Sequence, residues 1–288
     1  MIYPNFQISE GERSMKRVIC IVLLVICVAV FCFTGYKLVN YFAESRASKE
    51  QYNSLAQIVE SAKQEAGSNQ HGEGGSVESA ERDKRVAMTD PETGEEILVL
   101  PEYAPLYEIN PDLVGWIEIP GTNINYPVVQ SNTPNWYLYL DFNEEYSVHG
   151  TIYAREVCDV FAPSDNVTIY GHHMVDGTMF HELDEYESED FWREHKTFTF
   201  DTILERHEYE VLAVFMTTAT LGEGFAYHRF VDAADAEEFQ EYVDTCKHLA
   251  LYDTGVDAEY GDKLITLSTC ESSLENGRLV LVAKRIAE

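Results

Sequence analysis

The chain has 288 residues, 45% of them hydrophobic and 12% aromatic, with 17 Gly and 9 Pro. This is enough apolar material for one sizeable core and excludes a wholly disordered chain. Asp and Glu number 50 against 20 Lys and Arg, a formal net charge of −30, so a nucleic-acid backbone is repelled at almost any face and no nucleic-acid partner is expected.

Residues 1–17 form a short amino-terminal tail. From Val18 to Phe33 every residue is apolar, and the charge-free stretch continues through Thr34, Gly35 and Tyr36, long enough to cross roughly 30 Å of hydrocarbon as a helix. The run passes into Lys37-Leu38-Val39 with no small-residue cleavage site, so residues 18–42 read as a retained, single-pass anchor whose partner is membrane lipid. Arg13, Lys16 and Arg17 precede it and Lys37, Arg46 and Lys49 follow. The counts are equal, but the first cluster sits tighter against its end, so the tail is assigned to the cytoplasm and the rest to the outside.

Residues 43–100 mix charges with Ser, Gln and Gly and carry little surface to offset ordering entropy, as expected of a spacer or stalk. Within them Leu55, Ile58, Val59 and Ala62 recur at helical spacing and predict a short helix. On this reading span and stalk supply address rather than chemistry, and a fragment lacking residues 1–100 is expected to stay active.

Residues 101–288 alternate turn signals with short runs rich in β-branched and aromatic residues. Strands are predicted at Trp116–Ile119, Asn125–Val129, Tyr137–Phe142, Gly150–Ala154, Val167–Tyr170, Thr197–Phe200, Tyr209–Met216, Lys263–Thr269 and Arg278–Arg285. That pattern predicts an all-β barrel or sandwich with added helices. One helix is expected after Asp232 as its cap, with Phe239, Tyr242, Val243, Cys246 and Leu249 on one apolar face. Cys246 then points inward as a small hydrophobe. A long loop is read at Ala219–Phe230, and the acidic run His181–Asp190 as a solvated helix face.

The chemistry concentrates at Leu264–Arg285, where two apolar strands flank a polar segment ending in Asn276-Gly277, a hairpin signature. Cys270 closes the first strand and Arg278 opens the second, so fold-back brings a thiol and a guanidinium to one end of the sheet. Neighbouring positive charge favours the thiolate, the form that attacks a carbonyl. Arg keeps its proton, so such a mechanism also needs an acid–base group. His172 follows the strand Val167–Tyr170 and the turn-permitting Gly171. The bland alternative, an inert structural Cys270, is the commoner fate of a cysteine in a β domain. A zinc site from His172, His173 and His181 lacks a recognised ligand spacing, so no metal is expected.

At these residues the chain resembles the sortases. The carrying motifs are Thr266-Leu267-Ser268-Thr269-Cys270 with Arg278 eight residues on, Ile169-Tyr170-Gly171-His172-His173-Met174, and Gly177-Thr178-Met179-Phe180. Similarity to class B members extends to Trp116–Gly121, Tyr126–Gln130 and Tyr137–Phe142. The resemblance implies a closed eight-stranded β-barrel behind an amino-terminal transmembrane helix, and a Gram-positive-type cysteine transpeptidase needing no cofactor. It implies that Cys270 attacks a Thr carbonyl in the carboxyl-terminal sorting signal of a secreted protein and forms a thioacyl intermediate. His172 moves the protons and Arg278 holds the substrate and stabilises the oxyanion. Leu138, Ser268 and Glu271 match positions near the sorting-signal pocket. The acceptor amine would come from a peptidoglycan precursor or cross-bridge, for wall anchoring, or from a pilin lysine. An L,D-transpeptidase would need a Ser-His-Gly-Cys signature, which is absent here. A non-enzymatic tethered binding domain is the remaining alternative.

Overall fold

The structure, a computed structural model, describes residues 10–68, 85–91, 93–220, 222–271 and 276–287. It divides after Ala47 into two units. Helix α1 (Glu10–Ser68) begins in the first, where its apolar stretch is long and apolar enough to cross a membrane.

In the unit from Ser48 onward, α1 is part of the fold rather than a spacer. Tyr52, Leu55 and Val59 are buried, on the face that the helical spacing of Leu55, Ile58, Val59 and Ala62 marks out. A hairpin follows, β1 (Val86–Thr89) with β2 (Glu96–Val99). Its turn is closed by Asp90, whose side chain accepts from Thr93 N at 2.9 Å. Leu100 N then donates to Ile203 O at 2.8 Å, and Val99 and Leu100 are buried. Residues 43–100 thus hold a packed helix segment and a hairpin, which the low average hydrophobicity of the segment conceals.

The rest is a closed eight-stranded barrel. After a short helix α2 (Ala104–Ile109) come β3 (Leu113–Glu118), β4 (Asn125–Val129), β5 (Ile152–Ala154) and β6 (Asn166–Tyr170). Helix α3 (Glu189–Glu194), β7 (Thr197–Thr202), β8 (Glu208–Thr218), helix α4 (Ala236–Leu249), β9 (Leu264–Glu271) and β10 (Gly277–Arg285) complete it. The strand order is β10-β8-β7-β3-β4-β5-β6-β9, closing on β10. Two pairs, β4 with β5 and β6 with β9, are parallel.

Tyr137–Phe142, predicted as a strand, instead forms a 3-10 turn at Trp136–Leu138 followed by irregular chain. Asn135 enters it at φ 55°. The Asp141 carboxylate accepts from Asn143 N and Glu145 N at 2.8 and 3.0 Å, a local alternative to a sheet ladder. Asp232 does not cap α4. Its carboxylate accepts from Asp165 N at 2.9 Å, while Asp235 accepts from Glu237 N and Glu238 N, both at 3.0 Å. Phe239, Tyr242, Val243 and Cys246 are buried against the barrel, with Leu249 at the exposed end. The acidic run at residues 181–190 is only partly solvated: Leu183 and Tyr186 are buried, and Asp184 pairs with His173 at 2.6 Å.

The helix segment ahead of the barrel therefore contributes to stability. Leu55→Ala is expected to lower the free energy of unfolding by about 2–4 kcal/mol, the range for a buried Leu truncated in a packed core, in urea denaturation of the detergent-solubilised chain. A spacer would show no change.

Candidate functional site

The site is built on β9, which pairs on both edges. On one edge Cys270 is the direct antiparallel partner of Arg278 on β10. On the other, Ser268 is the parallel partner of Tyr170 on β6. The parallel ladder ends at Tyr170 and Ser268, so His172 follows the end of β6 at the rim toward which β9 carries Cys270. The ends are tied: Gly171 N donates to Ser268 O at 3.2 Å and Thr269 Oγ1 to Gly171 O at 2.9 Å. A Cβ on Gly171 would lie 2.5 Å from Ile152 Cδ1 and 2.6 Å from Phe180 Cγ, so only glycine lets the chain turn there into His172.

Alternation along β9 puts Thr266, Ser268 and Cys270 on one face. Ser268 is 1% exposed, with its hydroxyl 2.6 Å from Tyr227 Oη, whereas Cys270 is exposed at the strand end. Arg278 is partly buried and its Nη1 donates to Gly277 O at 2.8 Å, which fixes the guanidinium near the rim. Burial pushes the phenols of Tyr153 and Tyr227 upward, and both also feel opposing influences from Arg278 and Cys270. Tyr153 lies across from Tyr170 on the β5–β6 ladder, the two rings 5.5 Å apart, so phenols floor this side of the site.

His172 is half-buried. Its Nε2 lies 2.7 Å from Leu138 O, and its ring is 5.6 Å from that of Tyr139. A carbonyl oxygen only accepts, so Nε2 is assigned as the donor in this contact. Leu138 thus enters through its backbone, a contact with no sequence signature. Glu271 ends β9 opposite Gly277, and its side chain lies outside the described residues. His173 turns away to Asp184, with the His181 ring 4.4 Å from its own. The other two cysteines of the domain are removed from chemistry. Cys158 is buried, with Sγ 3.6 Å from Asn166 O, and burial raises its pKa and pushes that of Cys246 up to about 12.

Sequence reasoning missed Tyr153, Tyr170 and Tyr227. The first two were detectable in principle, as residues of predicted strands sharing the face of the strand-end cysteine. Tyr227 sits in the stretch read as loop, on a 3-10 turn at Tyr227–Arg229.

Comparison with known proteins agrees with this architecture. A sortase domain family model matches residues 117–286. Sortase B of Staphylococcus aureus is 30% identical over 274 residues, 94% of this chain and 98% of that protein. Sortase B of Listeria monocytogenes is 33% identical over 194 residues, 65% of this chain and 75% of that one. The structure of a Staphylococcus aureus sortase B–substrate complex superposes with a TM-score of 0.67 at 28% identity, covering 85% of this chain and 98% of that one. With a family match over more than half its length and near-complete coverage of a relative, the chain belongs to the sortase B family of cysteine transpeptidases.

Proposed function

We propose that this protein cleaves a carboxyl-terminal sorting signal after Thr and joins the new carboxyl end to an amine of the peptidoglycan, with Cys270, His172 and Arg278 as its catalytic groups. The observation that carries the reading is the β9 register, which sets Cys270 opposite Arg278 and ends β9 beside the strand that delivers His172.

The Cys270 thiol passes its proton to His172 Nδ1, the resulting thiolate attacks the Thr carbonyl carbon, and the carbonyl electrons move onto oxygen. The Arg278 guanidinium, fixed at the rim, faces that developing charge, where one preorganised donor contributes about 3–4 kcal/mol in comparable sites. As the C–N bond breaks, His172 gives its Nδ1 proton to the departing amine and a thioester remains on Cys270. An incoming amine then attacks the thioester carbon, its proton passes to His172, and the new amide leaves with release of the thiolate. The acceptor must be uncharged to attack, so the same imidazole serves as acid and then as base.

The arrangement in the cell follows from the amino-terminal helix. Residues 18–42 are proposed to cross the membrane, with residues 1–17 inside and residues 43–288 outside, where secreted proteins with sorting signals and wall precursors meet the enzyme.

Cys270→Ala is expected to give no acyl-enzyme and no cleavage of a sorting-signal peptide, read by mass spectrometry and chromatography. Arg278→Ala is expected to lower kcat about 100- to 1,000-fold and His172→Ala about 100- to 10,000-fold, with circular dichroism unchanged. Near-native turnover in any of the three would remove that residue from the mechanism. Iodoacetamide at pH 8 is expected to label Cys270 well before Cys158 or Cys246, since Cys270 is exposed whereas the other two are buried and burial raises their pKa values. Equal labelling, measured by peptide mapping, would show that the site cysteine is not distinct.

A further inference from the structure

One side chain of α1 reaches both segments that hold His172. Tyr52, in the unit that contains the barrel, is 5% exposed. Its hydroxyl donates to Gly150 O at 2.7 Å and lies 3.2 Å from Thr151 Oγ1. Those two residues are locked to the segment bearing Leu138. Thr151 N donates to Tyr137 O at 3.1 Å, and Thr151 Oγ1 donates to Leu140 O at 2.9 Å. Gly150 has φ 59°, and a Cβ there would lie 2.5 Å from Leu138 O, the acceptor for His172 Nε2. The Tyr52 hydroxyl, the 150–151 backbone and the histidine's carbonyl partner are thus in continuous contact.

The ring of Tyr52 reaches the other segment. It packs edge-on against Tyr126, centroids 5.3 Å apart. Tyr126 Oη accepts from Met179 N at 3.1 Å. Met179 bridges to His173, and Phe180 N donates to His172 O at 2.9 Å. Neighbouring helix residues reinforce both grips: Lys49 Nζ donates to Asp176 O at 2.9 Å, and Gln51 Nε2 to Asp141 Oδ2 at 3.0 Å. Between the segments, buried His149 meets Asp176 at 3.0 Å.

We infer that Tyr52 is a positioning residue for the transfer reaction. From the helix ahead of the barrel it fixes the Leu138 carbonyl on one side of His172 and the 172–180 turn on the other. The inference rests on the assignment of proton transfer to His172. It also gives residues 48–68 a part in turnover: removing residues 1–100 would take Tyr52 with them, whereas the sequence alone suggests that this region is dispensable.

The test uses the full chain in detergent micelles, with kcat and KM for a sorting-signal peptide and the 15N resonances of the His172 imidazole, assigned against His172→Gln. Tyr52→Phe keeps the ring and removes the hydroxyl. It is expected to lower kcat about 5- to 10-fold, and Tyr52→Ala about 30- to 100-fold, with KM within about 2-fold, as small misplacements of a reacting group do. Both should weaken the Nε2-protonated signal of His172. Val59→Ala, at a buried position seven residues further along the same helix, is expected to lower Tm while keeping kcat and that signal. The inference is overturned if both Tyr52 variants keep native kcat and the native His172 signal, or if they lose activity only in step with Tm. Should Cys270→Ala still cleave the peptide, the catalytic reading fails, and the His172 resonances still decide whether Tyr52 holds the ring.

Discussion

The register of β9 is the constraint on which the site depends. A one-residue slip on either edge would turn Cys270 to the opposite face of the barrel wall, because side chains alternate with period two. Buried polar contacts oppose such a slip. Thr266 Oγ1 donates to Asn166 Oδ1 at 2.8 Å, Tyr242 Oη lies 3.3 Å from Thr266 Oγ1, and Tyr227 Oη meets Ser268 Oγ at 2.6 Å. Each pairing is available only in the observed register. Losing one would strand a buried polar group at a cost of about 1–3 kcal/mol. The hydroxyl residues that look out of place in an apolar strand are therefore what aims the cysteine at its rim.

Around that strand the two sides of the site are held by different means. The thiol and guanidinium share one hairpin, so their proximity follows from local pairing alone. The imidazole comes from a strand roughly a hundred residues earlier in sequence and is oriented by a main-chain carbonyl rather than a carboxylate. A neutral acceptor fixes the tautomer without adding another negative charge beside the ring. In a chain of net charge −30, the long-range field favours approach of cationic amines.

Helix α4 and the turn at Tyr227–Arg229 complete the outer layer. Phe239, Val243 and Cys246 pack with Val280 and Val282 of β10, on the face that carries Arg278 at the strand end. The same layer supplies Tyr227, whose hydroxyl meets Ser268 Oγ two residues before Cys270 on β9.

Features set by neighbouring residues could be read directly from the chain. These are the apolar amino-terminal run, the amphipathic face of α4, most of the barrel strands, the hairpin joining Cys270 to Arg278, and a histidine just past a strand end. Each depends on periodicity, a turn signal or a short fold-back. The structure was needed where distant segments decide the outcome. Tyr137–Phe142 has strand composition, yet Asp141 satisfies nearby backbone donors and leaves the segment as the turn that carries Leu138. Residues 48–68 average as polar, yet a few side chains bury against the barrel. The partner of His172 is a carbonyl oxygen, an atom every residue possesses, and no pattern of side chains marks which one a fold will select.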